Sequence, residues 1–289
     1  MTTTPSTGSL QAVTERGSLR LSVVIPARNE EGSIARTVRT FADRLEREGI
    51  DYEIVVVDDG SLDRTREILT QIASSNARVR SVPNDPPHGF GMAVRAGLSA
   101  STGDAIAIVM ADLSDSPDDL VVYHRTLEAG YDCAFGSRFI SGACVSGYPL
   151  LKRLANRVVN LLIRLLFGHG YNDTTNAFKA YRREVIDTVQ PLVSNHFNLT
   201  VELPLKAVVR GHTYAVVPIS WTNRTNGESK LRLQEMGSRY LYIVLMVFLE
   251  HRLSRGDYRR HDLPVRPRRL KRRLSHPDVV LRPRDPRNQ

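Results

Sequence analysis

Two acidic clusters in this chain stand directly after apolar runs. Asp58-Asp59-Gly60-Ser61 follows Glu53-Ile54-Val55-Val56-Val57, and Met110-Ala111-Asp112-Leu113-Ser114-Asp115 follows the alternating small apolar residues of 104–109. Carboxylates at the ends of strands suit a nucleotide diphosphate: one acid accepts hydrogen bonds from base or ribose, and another holds the divalent cation that neutralises the diphosphate. Asp-Asp-Gly-Ser also serves well as a turn and helix N-cap, so this cluster alone decides nothing. In the second cluster a thioether at Met110 is a poor ligand for Mg2+ or Mn2+. Asp112 is therefore expected as the main protein ligand, with Asp115 three residues on as a second candidate.

Those acids need a scaffold. Residues 21–25 read as a β-branched strand ended by Pro26, and Asn29-Glu30-Glu31-Gly32-Ser33 supplies start signals for an amphipathic helix to about residue 48. Strands at 53–57 and 79–82, helices at about 63–75 and 91–101, and a Gly-containing loop at 88–91 lead to the strand before Met110. Alternating strands and helices imply parallel pairing with right-handed crossovers. Ligands of such sheets sit at the carboxyl ends of the strands, so Asp58, Asp59 and Asp112 are expected to converge on one crevice. Further on, the pattern gives a helix at 118–129, a strand at 133–135, a long basic-apolar helix at 149–167, a strand at 177–181, helices at 183–189 and 199–210, a strand at 213–217, a loop at 221–230 and a final helix to about 254.

The totals exclude several classes. A chain of 289 residues with 41% hydrophobic content can bury a substantial core; one domain over 19–255 is expected, between a polar leader (1–18) and a basic tail (256–289). The leader has neither the basic nor the apolar region of a signal peptide. The longest apolar run, at 240–249, has ten residues, where a bilayer crossing needs about 20. The net charge of +9 is mostly tail: residues 259–289 hold eleven Arg or Lys against three Asp. That segment is Pro-rich and aperiodic, which gives no specific nucleic-acid partner. Cys133 and Cys144 are too few for a disulfide framework and read as a buried strand cysteine and a loop cysteine in a reducing compartment.

The stretches "SVVIPARNEEGSI", "EIVVVDDGSLDRT", "MADLSDSP", "FGSRF", "NDTTNAFKAYRRE" and "NRTNGESKL" occur in the order and spacing of family 2 glycosyltransferases. Over about residues 20–255 the chain closely resembles the dolichol-phosphate and polyprenyl-phosphate sugar synthases among them. The resemblance implies the GT-A fold, an α/β nucleotide-sugar transferase architecture with a mostly parallel sheet flanked by helices and with amphipathic interfacial helices. It implies transfer of a hexose, GDP-mannose being the first donor to test and a UDP-sugar the second, to a polyprenyl or dolichyl phosphate with inversion at the anomeric carbon. Mg2+ or Mn2+ is the expected cofactor. Carried over by position, Pro26, Arg28 and Glu30 border the nucleoside, Asp58 and Asp59 face the base or ribose, and Gly89 and Gly91 form the Gly-rich loop. Arg138, Arg224 and Lys230 match basic positions near the diphosphate and acceptor phosphate, and Asp173 matches an acid that orients the acceptor or serves as a base. Arg28 stands where the family often has Tyr, His88 where it has Lys, and Met110 where it has Asp.

Alternatives remain open at this level. They are a transferase acting on a saccharide, although the processive Gln-x-x-Arg-Trp signature is absent, and a weakened nucleotide-sugar-binding protein. The oligomeric state is not given. At 100° per residue, the 149–167 helix puts Arg153, Arg157, Asn160 and Arg164 on one narrow face and Leu151, Leu154, Val158, Leu161, Leu162 and Leu165 opposite. It therefore either covers the core or, with 240–249, lies on a membrane surface. A cytoplasmic protein bound peripherally to the cytoplasmic face is the expected location.

Overall fold

A computed structural model of the chain describes residues 18–222, 233–254 and 256–258. Arg224 and Lys230, the leader up to residue 17 and the tail from 259 lie outside the described residues. The elements run β1 (Leu21–Ala27), α1 (Ile34–Arg47), β2 (Tyr52–Asp58), α2 (Thr65–Ser75), β3 (Val79–Pro83), α3 (Phe90–Ala100), β4 (Ala105–Ile108), α4 (Pro117–Glu128), β5 (Cys133–Ser137), β6 (Cys144–Ser146), α5 (Leu150–Phe167), β7 (Lys179–Arg182), α6 (Arg183–Thr188), α7 (Leu199–Val209), β8 (Tyr214–Pro218), β9 (Ser220–Thr222) and α8 (Leu233–Leu253).

Seven strands form one sheet in the order β3-β2-β1-β4-β7-β5-β8, and β6 pairs with β9 in a separate two-stranded ribbon. Strands β1 and β2 are buried along their whole length and mostly apolar, as a sheet covered twice requires, with Ser22 donating to Glu53 as a buried polar pair, whereas the edge strand β3 buries only Val79. On one face, Ile34, Val38, Phe41 and Leu45 of α1 and Leu120 and Leu127 of α4 pack on Val23, Ile25, Ile54 and Val56. On the other, Val94 and Leu98 of α3 and Leu199 and Leu203 of α7 pack on Val24, Ile106 and Phe135. The result is helix, sheet, helix.

Three sequence expectations need correction. Strand β1 does not stop at Pro26 but continues to Ala27, paired with β2 throughout. Val109 N–H donates to Val24 O, so even-numbered residues of β1 point toward β4; the missing N–H of Pro26 falls where that ladder has already run out. Strand β7 is antiparallel to both neighbours, its first residue Lys179 lying opposite Ile108, the last of β4. After β5 the chain stays at the carboxyl ends of the strands, makes β6 and α5 there, and re-enters the sheet from that side. Finally, Cys144 and Trp221, expected in loops, sit in the paired strands β6 and β9. Cys133 is buried in β5 as expected.

Helix α5 orients itself against the usual rule. Only Asn160 and Ile163 are buried, while Leu151 (79% exposed), Leu162 (60%) and Leu165 (72%) face outward. Ile163 reaches a small cluster with Val201 and Leu205 of α7 and Ile243 and Val247 of α8. Helix α8 in turn exposes Leu241, Tyr242, Leu245 and Leu249. No described helix is long and apolar enough to cross a membrane.

Candidate active site

Asp58 and Asp59 end β2 beside the end of β1, and both are buried. Asp58 accepts from Ser61 N at 2.9 Å and pairs with the Arg66 guanidinium at 2.9 Å. Burial pushes its carboxyl up, but the hydrogen bonds of Ser61 and Arg66 outweigh it and hold the group below its ordinary range. Asp59 accepts from Asn84 Nδ2 at 2.7 Å and Gly89 N at 3.1 Å, with Arg28 3.9 Å away. The segment carrying Arg28 and Glu30 is stitched to the next turn: Asn29 N donates to Ser61 Oγ, Leu62 N to Asn29 Oδ1 and Glu30 N to Thr65 Oγ1. Asn29 adopts a positive φ of 53°, a conformation Asn tolerates better than most residues. Buried Pro26, exposed Arg28 and half-buried Glu30 thus lie where the chain leaves β1, beside the turn that carries both acids.

Gly89 and Gly91 serve an approach within the protein. A Cβ on Gly89 would meet Asn195 O at 2.4 Å, and one on Gly91 would meet Ser194 O at 2.3 Å. Gly91 N donates to Asn195 O at 3.0 Å, and Phe90 stacks on Phe197 at 4.1 Å. The 194–197 segment is held from behind by Glu202, which accepts from Val193 N and Ser194 N and pairs with Lys206 at 2.8 Å. His88, where the family has Lys, lies 3.3 Å from Asp59 and against Gly60, where an added Cβ would strike its ring at 2.5 Å.

The turn after β4 separates the two metal-ligand candidates. Asp112 is half-buried and accepts from Ser114 N at 3.1 Å, and Leu113 is forced to a φ of 55°. Asp115 turns inward: it is buried, accepts from Met110 N at 3.0 Å, and has its carboxyl pushed up to about 7 by burial and then by the charge of Asp112. It braces the turn through that bond. Among the described residues no group of three or more His, Cys, Asp or Glu gathers at metal-binding spacing. Asp112 alone does fit Mg2+ or Mn2+, because such ions accept one carboxylate together with substrate phosphates and water.

Arg138 and Asp173 meet across the mouth. The guanidinium donates from Nε and NH2 to the two carboxylate oxygens at 2.8 Å each, and Arg138 N donates to Asp173 at 3.0 Å. Asp173 is fully buried and the Arg138 side chain 10% exposed, so this is a bidentate pair of the strong kind. Three rings surround the guanidinium: Tyr148 at 5.2 Å, Phe139 at 5.6 Å and Trp221 at 5.7 Å. The polar stripe of α5 completes the support. Asn160 Oδ1 accepts from Thr174 N at 2.6 Å, beside Asp173, and Asn156 Nδ2 donates to Tyr148 OH at 2.7 Å. Below, Lys179 is buried and donates to Thr174 O and Thr200 O at 3.1 Å, burial lowering its ammonium to about 7.

Comparison with known proteins follows this geometry. Residues 22–190 match glycosyl transferase family 2. The chain belongs to that family. This family 2 glycosyltransferase is 31% identical over 224 residues to the polyprenol monophosphomannose synthase of Mycolicibacterium smegmatis, covering 75% of this chain and 83% of that one. It is 30% identical over 216 residues to the dolichol-phosphate mannosyltransferase of Pyrococcus furiosus, covering 74% of this chain but 60% of that longer one. Among solved structures, glucosyl-3-phosphoglycerate synthase of Mycobacterium tuberculosis in complex with Mn2+, uridine diphosphate and glucosyl-3-phosphoglycerate superposes with a TM-score of 0.61 at 22% identity, over 81% of this chain and 80% of that one. The same synthase with Mg2+ and uridine diphosphate gives 0.60 at 21% identity, over 81% and 79%. The fold is therefore GT-A, a mostly parallel sheet flanked by helices.

Sequence reasoning expected Asp58, Asp59 and Asp112 at the carboxyl ends of the strands, where they follow β2 and β4; Arg28, Glu30, Arg138 and Asp173 came only from the family resemblance. It missed the aromatic ring around Arg138, since Tyr148 and Trp221 are 73 residues apart in sequence, and it missed Asn156 and Asn160, whose polar character looked like solvent exposure. The spacing of Asn156 and Asn160 by four residues, on the face opposite the leucines, was the available signal.

Proposed function

We propose that the chain transfers a mannosyl group from GDP-mannose to a polyprenyl or dolichyl phosphate at the cytoplasmic face of a membrane. The observation that carries this reading is helix α5: its inner polar stripe supports Arg138 and Asp173 while its outer face offers leucines to the surroundings. An acceptor with a reacting phosphate and an alkyl chain needs both faces at once. The names of the two relatives, both acting on prenol-type acceptors, support the same choice.

In this reading the donor lies in the crevice between Asp59 and Asp112. Asp58 and Asp59, fixed by backbone and arginine donors, offer acceptors to base and ribose, with Pro26, Arg28 and Glu30 alongside. Gly89 and Gly91 bring the 194–197 segment against the end of α3. Asp112 would hold Mg2+ or Mn2+, which neutralises the leaving diphosphate. The acceptor phosphate has a second pKa of about 6 and is a dianion at neutral pH, so it needs little general-base help. An acceptor oxygen forms the bond to the anomeric carbon from the face opposite the diphosphate, the anomeric bond to the diphosphate breaks, and the configuration inverts. Orientation and charge carry the rate. Asp173, buried and engaged at both oxygens, acts through Arg138, which it aims at the phosphate. Arg224 and Lys230 are assigned to the acceptor phosphate as well.

The test uses vesicles containing long polyprenyl phosphate, a panel of labelled GDP- and UDP-sugars, and extraction into chloroform. A metal-dependent, chloroform-soluble mannosyl product is expected. Label found only on water-soluble saccharide, or no transfer at all with intact donor binding, overturns the reading. Replacing Leu162 and Leu165 with Asp should release the protein from vesicles and stop transfer to long acceptors while sparing short soluble ones; unchanged long-chain transfer would remove α5 from the membrane contact.

A further inference from the structure

The acid that ends β2 and the arginine that pairs with it differ sharply in exposure. The Asp58 side chain is 2% exposed and that of Arg66 67%, with Arg66 Nε donating to Asp58 Oδ2 at 2.9 Å. The other carboxylate oxygen accepts from Ser61 N at 2.9 Å. An incoming molecule therefore meets the guanidinium before it meets the acid. Only the Nε of that guanidinium is engaged; among the described residues no acceptor takes its two terminal nitrogens.

The pair two residues away is of another kind. Arg64 and Glu31, 3.4 Å apart, are both exposed, and water competes for each of them. Arg66 is instead held by a buried charge, which is costly to leave without a partner. Its backbone is fixed as well. Arg66 lies in the first turn of α2, and the preceding residue, buried Thr65, accepts from Glu30 N at 2.8 Å through its hydroxyl. The guanidinium thus stands on a helix tied to the segment of Arg28 and Glu30, and a group carried by a helix is aimed more closely than one on a loop. A guanidinium held at Nε turns outward the fork of N–H groups on its two terminal nitrogens. That fork matches two acceptors side by side and rejects a donor. Guanine offers such a pair in O6 and N7, whereas adenine sets an amino donor beside N7 and a keto pyrimidine has carbon beside its O4.

We infer that Arg66 is the residue through which this chain selects guanine, its terminal nitrogens donating to O6 and N7 of the donor's base. The inference rests on the proposed function for placing the nucleoside in this crevice, and it names the group that sets the base. Asp58 contributes to that choice as the counter-charge that aims the guanidinium. A uridine nucleotide could take one hydrogen bond from the fork and leave its second N–H unmatched.

Calorimetric titration of the full chain with GDP, UDP and 7-deaza-GDP, each with Mg2+, reads the base without turnover. The 7-deaza compound replaces N7 by carbon and leaves O6, ribose and diphosphate intact. Wild type should bind GDP at least about fivefold more tightly than 7-deaza-GDP or UDP, the lower end of what a bidentate base contact supplies. Arg66→Lys keeps a cation for Asp58 but has no fork. It should bind GDP and 7-deaza-GDP within about twofold of each other, with the wild-type affinity for UDP. Arg64→Lys should behave as wild type. Equal affinities of the wild type for GDP and 7-deaza-GDP would overturn the inference. Equal losses for all three nucleotides in Arg66→Lys would also overturn it, by reducing Arg66 to a base-independent charge. Should Arg66→Lys fail to fold, Arg66→Gln takes its place with the same expectations. In turnover with GDP-mannose, the Arg66 variant should raise the donor KM at least about fivefold and keep kcat, the pattern of binding lost equally from ground and transition states; a lowered kcat at unchanged KM would overturn the inference. Wild type that binds UDP in preference to GDP would overturn both this inference and the proposed donor. Wild type that prefers GDP but transfers nothing to polyprenyl phosphate would count against the proposed function alone and leave the base assignment standing.

Discussion

Helices α1 and α5 are both strongly amphipathic, yet they face opposite ways. Helix α1 turns Ile34, Val38, Phe41 and Leu45 onto the sheet and leaves Arg36, Arg39 and Arg47 in water. Helix α5 turns Asn156 and Asn160 toward the turn that carries Asp173 and leaves six leucines at least half exposed. The periodicity of a helix tells which residues share a face; it does not tell which face the protein keeps. What decides is the neighbour. Helix α1 lies over a mostly apolar sheet and meets one carbonyl, that of Ala111, through Thr37, whereas α5 lies over a loop of backbone donors next to a buried ion pair. An unsatisfied buried N–H or an unpaired charge there weighs more than several exposed methylenes.

The largest effect that would break this comparison is on the ion pair itself. Asp173→Asn strips Arg138 of its counter-charge inside its aromatic surround, and the protein should lose about 3–5 kcal/mol in chemical denaturation, the range for half-broken buried pairs. A loss near zero would mean that Arg138 moves out to water and that the α5 stripe supports nothing. Next comes the apolar side: Phe41→Ala in α1 should destabilise by about 3–5 kcal/mol, with urea denaturation as the readout. On the donor side, Asp112→Asn should lower transfer by at least about a hundredfold with little change in stability. Excess chelator should bring the wild type to the same floor, and chelator-resistant wild-type activity would remove the metal from the scheme.

A smaller, pH-dependent effect concerns Asp115. Its folded pKa is raised from 3.8 to about 7, so between these values the native state keeps a proton that the unfolded state has released. Stability from this group is full below the unfolded value and falls as pH rises toward 7. Asp115→Asn keeps an oxygen for Met110 N–H and cannot ionise. Relative to wild type it should gain roughly 3 kcal/mol between pH 4 and pH 7, measured as the difference of two denaturation series. A flat difference would place Asp115 in contact with water. The smallest effect sharpens the comparison from the other side. Leu162→Ala, on the outward face of α5, should change stability by no more than about 0.5 kcal/mol, while vesicle binding weakens.

Much of this was legible beforehand because the signals were local. The β-branched runs at 21–25 and 53–57, the small apolar alternation before Met110 and the Pro117 start of α4 each determine their own element. The acids then follow at strand ends by topology. What was not legible depends on residues distant in sequence. Strand β7 is reversed because the chain has already been carried to the carboxyl ends by β6 and α5, which the residues 179–182 do not encode. The hydrogen bond by which Asp115 braces the turn at Met110 has no signal in its spacing to Asp112. Gly89 and Gly91 match the Gly-rich loop by position, but that the backbone of 194–195 also requires their missing side chains depends on residues distant in sequence.

That last contact bears on how the molecule can be divided. The family match ends at residue 190, but the close approach at Gly91, the carbonyl that receives its N–H and the ring that stacks on Phe90 all come from residues 194–197. Residue 190 is therefore the end of the family match and not a boundary of folding. A fragment cut there would present a bare glycine groove and an open aromatic face on α3, and a chimera that exchanged the segment after 190 would have to exchange Gly89, Phe90 and Gly91 with it. The two parts pack as one unit, and the segment after 190 cannot be grafted as a module.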